Sequence, residues 1–121
     1  HKADIAIDCG AQINPDRIRA QMEGAVMMGL SLAQTGEISF KKGAVEQGSF
    51  DDFPVLRIDA APRQLTVHLV GQDLASPPGG VGEPGLPPVA PALCNAIFAA
   101  TGRRIRNLPI KDQLTTALKA G

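Results

Sequence analysis

The chain has 121 residues, 44% of them apolar, and its twelve basic and twelve acidic residues cancel. That length supports one domain with a modest core. The balanced charge contains no block of one sign, which excludes an electrostatic footprint for nucleic acid or for a membrane surface.

No run is apolar and long enough to span a bilayer, and no signal-peptide pattern is read. His1 has no start methionine before it and lies almost directly on a strand, so the chain is expected to come from the middle of a larger gene product. Aromatics amount to four Phe, with no Trp or Tyr. The core must then rest on Ile, Leu, Val, Ala and Met.

Residues 3–8 alternate well enough for a strand, which Gly10 breaks. Asn14-Pro15-Asp16 is a helix start, with a capping side chain, Pro at the first helical position and an acid in the first turn. Apolar residues and Gly29 then recur at helical spacing through 18, 22, 25, 26, 29, 30 and 33. Gly24 and Gly29 fall inside that helix. Each costs roughly 1 kcal/mol relative to Ala, so a neighbouring element or a ligand is expected to approach closely there.

After Gly36, residues 37–40 and 44–47 flank Lys41-Lys42-Gly43 and read as a β-hairpin. Residues 50–54 look like an irregular turn, and 55–58 as an extended stretch. Leu65 to Val70 is the clearest strand, with Leu65, Val67 and Leu69 on one face. A helix from about Val89 carries Leu93, Ala96, Ile97, Ala100 and Thr101, with Gly102 as its stop. Residues 103–110 read as extended, and a short helix is expected from about Asp112 to Lys119. This order predicts an α+β two-layer domain over residues 1–121, with two main helices packed on a mixed β-sheet.

Between the last clear strand and the second helix lies Ser76-Pro-Pro-Gly-Gly-Val-Gly-Glu-Pro-Gly-Leu-Pro-Pro-Val-Ala-Pro91. It holds six of the ten prolines and four of the thirteen glycines, and Glu83 is its only charged residue. Such a loop is stiff at the prolines and allows close backbone approach at the glycines. That suits a site that sets one acid against a bulky ligand. In a water-poor pocket the carboxyl pKa of such an acid would rise toward the range of a general base.

Other motifs carry less. Gly80 to Gly85 formally fits the dinucleotide fingerprint, but Pro84 removes an N–H and Glu83 would face a pyrophosphate of like charge. No second ligand stands at helical or strand spacing from His68, which reads as a surface residue and not as part of a zinc site. Asp51 and Asp52 read as a turn-stabilising pair between two Phe anchors. Cys9 and Cys94 read as small buried hydrophobes, with a disulfide possible but unsupported. No Ser-His-Asp or Cys-His constellation is visible, which disfavours a cofactor-free hydrolase.

The segment from Gly79 through Glu83 and Pro84 to Pro109-Ile110 resembles the C-terminal signature of the molybdenum hydroxylases, the xanthine dehydrogenase/aldehyde oxidase family. Two more blocks agree in order: Ile7-Asp-Cys-Gly10 with Asn14-Pro15 and Gln21-Met-Glu-Gly24, and Phe50-Asp-Asp-Phe-Pro-Val-Leu-Arg57. The last is similar to the branch of isoquinoline 1-oxidoreductase-like enzymes, in their large molybdopterin-binding β subunit.

The resemblance implies that Glu83 is a catalytic base beside molybdenum and that Gln21 contacts the pterin. Gly80, Val81 and Gly82 are implied as further cofactor contacts. It also implies an enzyme that oxidises an N-heterocyclic aromatic or an aldehyde with water-derived oxygen. Its expected partners are the remainder of the large subunit, a small [2Fe-2S] subunit and a small-molecule substrate. Relatives bind molybdopterin with a much larger subunit. These 121 residues are therefore expected to be a C-terminal fragment that alone neither binds the cofactor firmly nor turns over, with Glu83 open to solvent. The alternative is a binding or assembly module that shares the fold without redox chemistry.

Overall fold

The computed structural model describes residues 1–71 and 74–115. The elements are strand β1 (Lys2–Asp8), helix α1 (Pro15–Gln34), the short strands β2 (Phe40–Lys41) and β3 (Ala44–Val45), strand β4 (Gln64–Val70) and helix α2 (Val89–Thr101). Single 3-10 turns occur at Ile58–Ala60 and Lys111–Gln113. The α+β class and the two main helices are as the sequence implies. Both strand senses are present but divided: β1 and β4 pair in parallel, while β2 and β3 form a separate antiparallel hairpin.

The parallel pair runs in register from Lys2 opposite Gln64 to Asp8 opposite Val70. Strand alternation then sorts the side chains. Ile5, Ile7, Val67 and Leu69 share one face and pack with Cys9, Ile18 and Met22 beneath α1. Met22 is fully enclosed, at 0% exposure. Burying one such aliphatic side chain contributes about 1.5–3 kcal/mol, so this cluster is what holds helix to sheet. The other face is polar. There Asp4 lies 3.1 Å from Lys2 Nζ and 3.4 Å from His68 Nε2.

Helix α1 begins as its sequence dictates. The Asn14 side chain accepts a hydrogen bond from the Arg17 N–H at 3.1 Å, and Pro15 follows in the first turn. Its far end bears an anchor the apolar pattern does not show. Ser31 is buried and its hydroxyl accepts from the Leu56 N–H at 2.9 Å. Helix α2 crosses α1 where Gly29 leaves room for Val89. A Cβ at Gly29 would lie 2.6 Å from that of Val89. Gly102 ends α2 in the left-handed region (φ 71°), its N–H on the Phe98 carbonyl at 2.8 Å.

Several local expectations are corrected. The hairpin turn is Lys42-Gly43, both at positive φ, and Lys41 pairs with Ala44 in the ladder. In residues 55–58 Arg57 is extended, as expected, but they pair in no strand, because Leu56 is tied to Ser31 and Ile58 already turns into 3-10 geometry. Residues 103–110 form no strand either. Pro109 has no N–H to give a ladder, and the Ile110 N–H goes to the Ala33 carbonyl of α1 at 2.8 Å. The helix expected from Asp112 is a 3-10 turn at Lys111–Gln113, and residues 116–121 lie outside the described ones. Cys9 is buried, Cys94 only half-buried, and both are free thiols.

Candidate functional site

The glycine- and proline-rich loop is held to the core before it reaches Glu83. The Gly79 N–H donates to the Cys9 carbonyl at 2.7 Å. Gly10, at φ +68°, lies so close to this loop that a Cβ there would sit 2.3 Å from the Pro77 carbonyl oxygen. Val81 packs against the cluster of Ile7, Cys9, Ile18 and Met22. Beyond Glu83 the chain presses onto α1 again. Gly85 is buried, and a Cβ on it would meet Ala25 at 2.7 Å and Met22 Sδ at 3.0 Å. A turn closed by the Leu86 N–H on the Glu83 carbonyl, at 3.1 Å, leads on to α2.

Between these attachments the loop stands over one face of α1. Gln21, Gly24, Ala25 and Met28 recur at helical spacing. With Gly82, Glu83, Leu86 and Pro87 they line a cleft of about 500 Å³. The Gln21 side-chain amide donates to the Gly82 carbonyl at 2.9 Å, across 61 positions of sequence. This bond fixes the backbone next to Glu83 relative to α1.

The structure therefore brings Gln21, Gly82 and Glu83 to one cleft. Gly80 and Val81 do not line it. Val81 is the loop's apolar anchor, and Gly80 faces open space. Glu83 is exposed, not enclosed, and among the described residues its carboxylate has no hydrogen-bond or ion-pair partner.

Three observations say what the cleft can take. First, Gly24 costs helix stability, yet a Cβ there would meet nothing within 4 Å, and the same holds at Gly80 and Gly82. Packing within the chain does not explain these glycines; a close-lying ligand would. Second, the backbone N–H groups of Gly80, Val81, Gly82 and Glu83 have no acceptor among the described residues. They are available to a polar ligand. Third, no group of three or more His, Cys, Asp or Glu able to hold a metal ion occurs among the described residues.

Met28, Leu86 and Pro87 are cleft residues that sequence reading did not single out. For Met28 the signal was present in its helical spacing from Gln21 and Gly24; Leu86 and Pro87 stand in the loop and carry no such signal. The remaining candidates are structural. His68 is exposed beside Asp4. Asp52 accepts from the Gly48 and Ser49 N–H groups, and these bonds hold its carboxyl below the usual carboxylate range. Asp4 is likewise lowered, by the Lys2 ammonium and then by His68. Phe53 is half-buried, but Phe50 is 71% exposed and anchors nothing.

Residues 1–62 match the model of a family described as a molybdopterin cofactor-binding domain. The chain is 38% identical over 116 residues to the β subunit of the isoquinoline 1-oxidoreductase of Brevundimonas diminuta, covering 96% of this chain and 14% of that protein. It is 34% identical over 117 residues to one subunit of the nicotinate dehydrogenase of Pseudomonas putida, covering 97% and 10%. Among solved structures, a Cu,Mo-containing CO dehydrogenase superposes with a TM-score of 0.72 at 25% identity, over 89% of this chain and 14% of that one. The chain thus spans a small fraction of the length of the relatives it matches.

Proposed function

Since this chain belongs to the molybdopterin cofactor-binding domain family, a family of molybdenum hydroxylases, we propose that residues 1–121 form one C-terminal domain of a large subunit and supply its catalytic base, Glu83. The observation that carries this reading is the cleft itself. It places Gln21, Gly82 and Glu83 together although they lie far apart in sequence.

The residues fit the cofactor. Gly24 and Gly82 leave open space at the cleft wall. The N–H groups of Gly82 and Glu83, which line the cleft and have no acceptor among the described residues, suit a ligand rich in carbonyl and phosphate oxygens. Gln21 presents an amide that can both donate and accept. When bound, the molybdenum cofactor supplies the two-electron oxidation and the delivery of a water-derived oxygen. The protein's part is smaller and specific. Gln21 fixes the loop through the Gly82 carbonyl, Gly24 admits a bulky group against α1, and Glu83 accepts a proton at its carboxylate and releases it after turnover.

The exposure of Glu83 supports a second element of the proposal. A base works best where its charged form is partly desolvated. These 121 residues leave Glu83 open to water, so the rest of the large subunit must cover it. The chain alone is then inactive, and a small [2Fe-2S] subunit would carry the electrons away. The substrate class that fits the relatives' printed names is an N-heterocyclic aromatic, with an aldehyde as the second choice.

Glu83→Gln in the full-length enzyme tests this reading. Loss of a general base lowers turnover by about 10²–10⁴-fold. Molybdenum content, measured on the same samples, should be unchanged. Full turnover by the variant would leave Glu83 without the role proposed and favour a non-catalytic module.

A further inference from the structure

Two contacts on one face of α1 hold the chain on either side of Glu83, and they differ in kind. The first is polar: the Gln21 amide donates to the Gly82 carbonyl at 2.9 Å. The second is steric: Gly85 is buried against Ala25, one helical turn beyond Gln21. Residues four apart on a helix are separated by about 6 Å along its axis. Residues 82 and 85 are thus seated at two fixed points, and Glu83 is carried between them. The Leu86 N–H on the Glu83 carbonyl, at 3.1 Å, ties the second seat to the acid itself.

Space, not backbone torsion, requires glycine at 85. Gly85 is not among the glycines at positive φ. A Cβ on it would nevertheless lie 2.7 Å from Ala25 Cβ, 3.0 Å from Met22 Sδ and 3.2 Å from Met22 Cε. Neither neighbour can yield easily. Ala25 Cβ is fixed to the helix backbone, and Met22 is fully enclosed at 0% exposure. Ordinary contact begins at 3.4 Å, so a methyl at 85 would lift this residue off α1 by about 0.7 Å or more.

We propose that Gly85 and Ala25 are a positioning pair for the reaction: their close contact sets how far the Glu83 carboxylate stands from α1. This rests on the reading of Glu83 as the base. The Gln21 bond gives the pair its leverage. It holds Gly82 in place, so lifting residue 85 pivots the loop about Gly82 and does not move it as a whole. The side of the cleft at Gln21 and Gly82 keeps its shape, while the carboxylate shifts. Proton transfer is steep in distance, and a misplacement of about 1 Å can cost on the order of 100-fold in rate. Cofactor retention and turnover should therefore separate.

The test compares Gly85→Ala, Ala25→Gly and the double variant with the parent, all in the full-length enzyme. Turnover is read on isoquinoline or nicotinate, whichever the parent oxidises faster, with a dye as electron acceptor. Gly85→Ala should lower kcat by about 10- to 100-fold, with KM and molybdenum content unchanged. Removing the opposing methyl should undo this: the double variant should return to within about twofold of Ala25→Gly alone. Crystals of Gly85→Ala give a readout independent of activity. They should show the Glu83 carboxylate displaced by about 0.7 Å or more, with the Gln21 amide still on the Gly82 carbonyl. Parental kcat in Gly85→Ala would overturn the proposal. So would an equal loss in the double variant, or a loss matched by lost molybdenum. If Gly85→Ala does not fold, Ala25→Val presses on the loop from the helix side, and parental kcat in that variant would overturn the proposal instead. Glu83→Gln, assayed alongside, separates the two readings. If it is inactive while Gly85→Ala turns over fully, the pair falls and the base stands. If Glu83→Gln turns over fully, the base falls and the pair falls with it.

Discussion

The two glycines inside α1 should respond oppositely to one change. Alanine in a helix interior is worth about 1 kcal/mol more than glycine. At Gly24 the new methyl would meet nothing within 4 Å, so Gly24→Ala keeps the whole gain. At Gly29 it would lie 2.6 Å from Val89 Cβ. Moving α2 away costs about 1–3 kcal/mol, which offsets or exceeds the gain and gives a net change from zero to a loss of about 2 kcal/mol. An unfolding entropy of about 2.1 cal/mol/K per residue makes 1 kcal/mol worth roughly 4 °C in a chain of 121 residues. Thermal unfolding followed by circular dichroism should put Gly24→Ala about 4 °C above the parent and Gly29→Ala between unchanged and about 8 °C below it. Equal shifts of the two variants would refute the reasoning, because they would mean that the space around each glycine does not matter. The same logic gives a functional corollary. Gly24→Leu should fill the cleft and lower molybdenum content of the full-length enzyme without unfolding it.

Three more changes have definite outcomes. Gln21→Leu removes the bond to the Gly82 carbonyl, a loss of about 0.5–1.5 kcal/mol, and should lower cofactor retention more than thermal stability. Asn14→Ala removes the cap of α1 and should cost about 1 kcal/mol in denaturant titrations. The Asp52 carboxyl should titrate by NMR below its ordinary value of 3.8, because the Gly48 and Ser49 N–H groups favour its charged form. Its contribution to the turn is present above the unfolded pKa and is lost as pH falls through the lowered one. Chemical shifts of residues 48–52 should therefore move together in acid, and should cease to do so in Asp52→Ala.

What could be read from the sequence was local. The cap at Asn14 follows from a side chain that acts on its own backbone, the start of α2 from the prolines before Val89, and its stop from the freedom of Gly102 to take the left-handed region. The strands β1 and β4 followed from alternation. The partners of irregular segments did not, since long-range bonds leave no period. The Ser31 hydroxyl on Leu56 and the Ala33 carbonyl on Ile110 tie distant loops to α1, and nothing near those residues announces it. At the site, the distinctive loop pointed to Glu83 and the helix glycines to a close approach. Which residues share the cleft was decided by where Gly85 and Val81 seat the loop. The exposure of Glu83 was expected from the missing remainder of the subunit and not from the loop, because burial depends on what stands opposite.

The most direct measurement is the position of molybdenum in crystals of the full-length enzyme, located by its anomalous scattering. The account predicts the metal beside the Glu83 carboxylate, with the pterin along Gln21, Gly24 and the N–H groups of Gly82 and Glu83. Molybdenum placed elsewhere, with this cleft filled by other protein, would contradict it.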